Sequence, residues 1–67
     1  MSVFTIQKFL GNIVLPNGQA LNPVEFVRRM GSCGFDTSIT LQTVAVMADG
    51  GTWALTLNPQ QVQIISA

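Results

Sequence analysis

The stretch Ser38-Ile39-Thr40-Leu41-Gln42-Thr43-Val44-Ala45-Val46-Met47, with Ala48-Asp49-Gly50-Gly51 and Thr52-Trp53-Ala54-Leu55-Thr56-Leu57 after it, sets the character of the second half of the chain. Its apolar positions are Ile39 and Leu41, then Val44 and Val46, so a period-two alternation slips by one residue around Gln42-Thr43. A β-bulge at that point would keep both pairs on one side of a strand. Asp49-Gly50 is the dipeptide favoured in tight hairpin turns, because both positions tolerate positive φ. Beyond it Trp53, Leu55 and Leu57 alternate with Thr52, Ala54 and Thr56, the pattern of a half-buried strand. Asn58-Pro59 turns the chain again, and Val62 to Ile65 supply a last short strand. The second half therefore reads as a three-stranded antiparallel meander.

Upstream of this region lies a helix signature. Asn22 can accept a hydrogen bond from the third backbone N–H of a helix, Pro23 suits the first helical position, and Glu25 completes a capping-box pattern. Leu21 and Phe26 occupy the positions of a hydrophobic staple. Arg28 and Arg29 fall where the helix dipole favours cations, and Gly31 offers a left-handed stop. The spacing predicts two helical turns over 23–30. Val24, Val27 and Met30, with Phe26 beside them, form one apolar face, and so short a helix must dock on a sheet to be stable.

The N-terminal third reads as strands. From Val3 to Leu10 apolar and polar residues alternate, with Phe4 and Ile6 on one side and an interruption at Lys8, which shares that side. Gly11-Asn12 allows a turn or bulge before Ile13-Val14-Leu15. Pro16-Asn17-Gly18 predicts a chain reversal, since proline presets φ and Asn-Gly accepts the positive φ of a tight turn. Gln19 to Leu21 then returns beside residues 13–15. No internal repeat, low-complexity tract or linker divides the chain, so residues 1–67 form a single domain. The expected fold is a small α+β domain: an antiparallel sheet of four to five strands with one short helix packed on one face. A small, partly closed β-barrel with the helix plugging one end satisfies the same periodicities.

Charge is the scarcest commodity. The chain has 67 residues with three Lys and Arg, three Asp and Glu and no His, and 9% of it is charged. An average soluble domain would carry about 25%. Three cations balanced by three anions cannot build the positive field that phosphate binding requires, so a nucleic-acid partner is not expected. A hydrophobic content of 48% is opposed to disorder. One cysteine permits no internal disulfide, and one cysteine without histidine permits no zinc site of the usual kind, so no metal or other cofactor is expected. A core this small supplies only about 3–5 kcal/mol, and association with copies of itself or with another protein is the remaining route to a stable fold. The apolar runs fall short of a membrane span, and a basic N-terminal region with a cleavage site is absent, so the expected location is cytoplasmic or virion-associated rather than secreted.

Few residues invite a chemical role. Cys33 would need a lowered pKa or a neighbouring base to act as a nucleophile, and a small buried or loop residue suits the position better. Gly31-Ser32-Cys33-Gly34 resembles the G-x-x-G loop with which KH domains clamp a nucleic-acid backbone. That loop is followed by a second helix, whereas Thr37 to Met47 reads here as strand; a helix-ending glycine and a turn glycine account for both positions. Glu25, Asp49 and Asp36 each have a local task, in a capping box, a hairpin turn and the approach to a strand. No catalytic residue is assigned and the chain is not expected to be an enzyme. Arg28 and Arg29 form the one local concentration of charge, and they join Phe35 and Trp53 as candidate interaction residues, Trp and Arg being enriched at binding hot spots.

The surface that remains is polar but uncharged, rich in Thr, Ser, Gln and Asn. Free sheet edges are commonly guarded by lysine, inward charge or proline, and between Ser38 and Leu57 the one charge is Asp49. These features predict a non-enzymatic structural or interaction subunit, acting as a homo-oligomer or within a larger assembly such as a phage or virus accessory. The alternative is a small binding module that inhibits or regulates a host protein or captures a small ligand through Trp53, Phe35 and the Arg28-Arg29 corner.

Overall fold

The computed structural model describes residues 1–67. Strands β1 (Ser2–Phe9), β2 (Asn12–Val14) and β3 (Ala20–Leu21) are followed by helices α1 (Pro23–Ser32) and α2 (Thr37–Val46), then strand β4 (Thr52–Leu57) and helix α3 (Pro59–Ser66). The strands form one antiparallel sheet in the order β3-β2-β1-β4. The sheet is open, with β3 and β4 at its edges, so the domain is a small α+β fold and not a closed barrel.

The first strands arise as their sequence dictates. A two-residue turn at Leu10-Gly11, with φ of 51° and 81°, pairs Phe9 with Asn12 and brings Ile13 opposite Lys8. The reversal at Pro16-Asn17-Gly18 is closed by the Gly18 N–H donating to the Leu15 carbonyl at 3.0 Å. Asn17 Oδ1 accepts from the Gln19 N–H at 2.8 Å, after which β3 returns beside β2.

Helix α1 starts at the expected cap, with Asn22 Oδ1 accepting from the Glu25 N–H at 2.8 Å and Pro23 in the first turn, but the expected capping box is only half formed, because the Glu25 carboxylate pairs with Arg28 and Arg29. It ends later than expected, at Ser32. Gly31 is an ordinary helical residue, and the left-handed stop falls at Gly34, with φ of 92°. A Cβ on Gly31 would meet Thr37 Cγ2 at 2.8 Å, so this glycine lets the start of α2 approach α1. Phe26 and Met30 are buried, Val27 is half-buried, and Val24 turns to solvent.

The meander of the second half is not formed. Thr37–Val46 is helix α2, begun by Asp36, whose Oδ1 accepts from the Ile39 N–H at 3.0 Å. The apparent phase slip at Gln42-Thr43 is helical geometry: Thr40 and Val44, four residues apart, face inward, while Ile39, Leu41 and Val46 are exposed. Thr40 avoids an unpaired buried hydroxyl by donating to the Asp36 carbonyl at 2.8 Å. The Ala48–Gly51 turn is present, closed by the Gly51 N–H to the Ala48 carbonyl at 2.9 Å, but it leads from a helix into β4 and is not a strand hairpin. The last strand is likewise a helix, α3. Asn58 and Gln61 form a reciprocal capping box, at 2.8 and 3.0 Å, and Pro59 takes the first turn.

The three helices cover one face of the sheet. Phe4 and Ile6 of β1, Ile13 and Leu15, Leu55 and Leu57 of β4 meet Phe26, Met30, Val44 and Ile65 from the helices. The accessible surface of 3974 Å² is close to the roughly 4,100 Å² expected of a folded monomer of this mass. The core therefore closes within one copy.

Candidate functional site: an uncharged sheet face and edge

Each ionisable side chain is bonded inside the fold. Lys8 lies on the core side of β1, and its Nζ donates to the Val44 carbonyl at 2.9 Å, at the C-terminal end of α2. Arg29 reaches from α1 to the C-terminal end of α3, where Nη1 donates to the carbonyls of Ile65 at 2.8 Å and Ala67 at 2.6 Å. Neither α2 nor α3 has a basic residue in its own last turn, so other elements supply the cation that each helix dipole favours there. Glu25 bridges to Arg28 and Arg29 at 3.3 Å each. Asp36 caps α2, and Asp49 Oδ1 accepts from the Gly11 N–H at 3.4 Å, tying the hairpin tip to the α2–β4 turn.

The candidate interaction residues do not converge on one site. Arg29 is held between Glu25 and the end of α3, with 20% of its side chain exposed, while Arg28 projects outward at 73%. Trp53 is half-buried on the core side of β4, its ring edge-on to Phe26 with centroids 6.4 Å apart. Phe35 is half-buried against the core in the link from α1 to α2. Cys33 is half-buried, with Sγ 3.6 Å from the Gln61 carbonyl, and its own carbonyl accepts from Gln61 Nε2 at 3.2 Å. Burial pushes its thiol pKa up from 9.0, away from thiolate character.

A helix does follow Gly31-Ser32-Cys33-Gly34, contrary to the strand expected at Thr37–Met47. The two glycines nevertheless have structural tasks, in the approach of α2 and in the left-handed turn. The loop's carbonyls face its own chain: Gly31 accepts from the Gly34 N–H at 3.0 Å, and Cys33 accepts from Gln61. The molecule contains no pocket and no cluster of three or more His, Cys, Asp or Glu side chains. No helix is long and apolar enough to cross a membrane.

What the fold does assemble is a neutral surface on the side of the sheet away from the helices. Val3, Thr5, Gln7 and Phe9 of β1 alternate with the core residues, and the register sets Thr52, Ala54 and Thr56 of β4 beside them. Asn12 and Val14 of β2 and Ala20 of β3 complete that face. None is ionisable. Val3 is 74% exposed and Phe9 49%, so the face mixes exposed apolar side chains with uncharged polar ones.

The two edges differ. At one, β3 is two residues long, too short to template another strand. At the other, β4 is six residues long, uncharged and unpaired on its outer side. The Lys8 N–H donates to the Gly51 carbonyl at 2.9 Å, which fixes the alternation of the ladder. Trp53, Leu55 and Leu57 turn their backbone groups toward β1, and Thr52, Ala54 and Thr56 turn theirs outward. Sequence reasoning recognised the lack of edge guards but placed them on a hairpin that does not exist; the alternation of Thr52 to Leu57 was the signal for the strand that does.

No protein-family model, curated protein or solved structure matches this chain.

Proposed function

We propose that the protein is a non-enzymatic structural or interaction subunit that works by packing against copies of itself or another protein through its sheet. The observation that carries this reading is the division of charge. All six charged side chains are bonded within the fold, while the exposed sheet face and the β4 edge have none. Covering such a surface with protein desolvates no ion, which removes the largest penalty in burying a polar face. It also satisfies the outward backbone groups of β4, which otherwise depend on water. The setting that goes with this role is the cytoplasm or a particle that the protein helps to build.

Sedimentation equilibrium across a dilution series tests the proposal. A weight-average mass above the 7.2 kDa of one chain, falling on dilution, is the expected result when the partner is the protein itself. A single-chain mass at every concentration, with a melting temperature independent of concentration, contradicts self-association.

A further inference from the structure

We propose that the β4 edge pairs with the β4 edge of a second copy, antiparallel and about a twofold axis at Ala54, making one continuous eight-stranded sheet. This inference rests on the self-association proposed above and adds its partner, edge and register.

The register follows from the strand itself. Only residues with outward backbone groups can form hydrogen-bonded pairs across the edge, so Thr52, Ala54 and Thr56 must meet one another. A twofold interface requires that if one residue meets a second, the second meets the first. An axis at Trp53 or Leu55 also meets both conditions but pairs only two of these residues, whereas centring it on Ala54 pairs all three: Thr52 faces Thr56 of the partner subunit, Ala54 faces Ala54 of the partner subunit, and each pair exchanges two backbone hydrogen bonds. On the outer face the cross-strand neighbours are then Thr with Thr and Ala with Ala, which pack without charge or excess bulk. On the core side half-buried Trp53 meets Leu55 of the partner subunit, covering apolar area that one copy leaves open.

The ends of the strand agree with the same centre. In this register Gly51 lies opposite Leu57 of the partner subunit, so the smallest residue faces a large one. Asp49, the nearest charge in sequence, lies outside the paired strand, in the Ala48–Gly51 turn. The next outward pair would be Gly50 with Asn58, but the Gly50 N–H already donates to the Lys8 carbonyl at 2.7 Å and the Asn58 N–H to Gln61 Oε1 at 3.0 Å, so pairing stops at the same place in both copies. A charged strand would set like charges near each other about such an axis; this strand has none.

The test uses substitutions at Ala54, whose N–H points away from β1 and whose side chain is on the exposed face. Ala54→Pro leaves the ladder to β1 intact and removes both hydrogen bonds across the axis, so the dimer dissociation constant should rise roughly 10- to 100-fold. Ala54→Lys sets two ammonium groups against each other and should weaken the dimer roughly fivefold at low salt. An equimolar mixture of Ala54→Lys with Ala54→Glu chains should recover a heterodimer. Circular dichroism of each variant at low concentration checks that the monomer fold is retained. If the unsubstituted chain dimerises and neither variant weakens the dimer, the edge register is overturned while self-association stands. If the unsubstituted chain is monomeric at every concentration, both are overturned.

Discussion

Leu10 adopts φ of 51° at the tip of the β1–β2 hairpin, 78% exposed. Its side chain gains little from the core, and its backbone sits in a region that costs a branched or bulky residue about 1 kcal/mol or more. The next residue, Gly11, already meets the demand of a two-residue turn. Leu10→Asn, which restores the favoured Asn-Gly pair, should therefore stabilise the fold by about 0.5–1 kcal/mol in denaturant unfolding. The two arginines separate the structural from the solvated role of charge. Arg29→Met keeps the aliphatic stem but removes the donors to Ile65 and Ala67, and should cost about 2 kcal/mol with fraying of α3. Arg28→Met, on the exposed neighbour, should change stability by no more than about 0.5 kcal/mol. Cys33 gives the fold an alkaline limit. Its thiol pKa is raised by burial, so the folded state holds the proton more tightly than the unfolded chain. The contribution is complete below the ordinary value of 9.0 and is lost as the pH rises through the folded-state pKa. Unfolding titrations above pH 9.0 should show a loss of stability that Cys33→Ala lacks.

At the scale of elements, the three helices share one device, a side-chain oxygen that accepts the N–H three residues on, supplied by Asn22, Asp36 and Asn58. Removing a cap of this kind costs about 1 kcal/mol. Asn58→Ala should lower stability by about that amount and reduce helical ellipticity, since the Asn58 oxygen is the acceptor for the Gln61 N–H in the first turn of α3. The same device explains what could be read from the chain. Leu21-Asn22-Pro23-Val24-Glu25 announces α1, and Leu57-Asn58-Pro59-Gln60-Gln61 repeats the signature with Gln for Glu. The α3 start was thus legible, and the β-branched pair Ile64-Ile65 obscured it. Helix α2 was harder to see. It is rich in Thr, Val and Ile, residues that favour strands, and its apolar side chains do not gather on one stripe. Three contacts decide its state: the Asp36 cap, the close approach allowed by Gly31, and Lys8 at its C-terminal end. The last depends on a residue far away in sequence, which no local period reports. The β1–β2 hairpin and the reversal at 16–18 join segments adjacent in sequence, and the structure has them where the sequence does.

Over the whole molecule, the scarcity of charge was legible from composition, but its distribution was not. That Lys8 and Arg29 serve α2 and α3 follows from packing between segments 36 residues apart in each case, and so does the emptying of the sheet face. Arg28, Arg29, Phe35 and Trp53 stand out in the sequence by residue type alone, and the fold scatters them between an exposed helix flank, an internal brace, a loop and the core side of β4. The exposed apolar residues of α2, Ile39, Leu41 and Val46, add a second neutral surface, but β4 alone combines length, neutrality and free backbone groups. Backbone amide exchange along β4, followed by NMR in dilute and concentrated samples, tests that claim most directly. In the dilute sample the amides of Trp53, Leu55 and Leu57 should be protected by β1 while those of Thr52, Ala54 and Thr56 exchange freely. In the concentrated sample Thr52, Ala54 and Thr56 should become protected as the edge finds its copy; equally rapid exchange of these three amides in both samples would contradict the account.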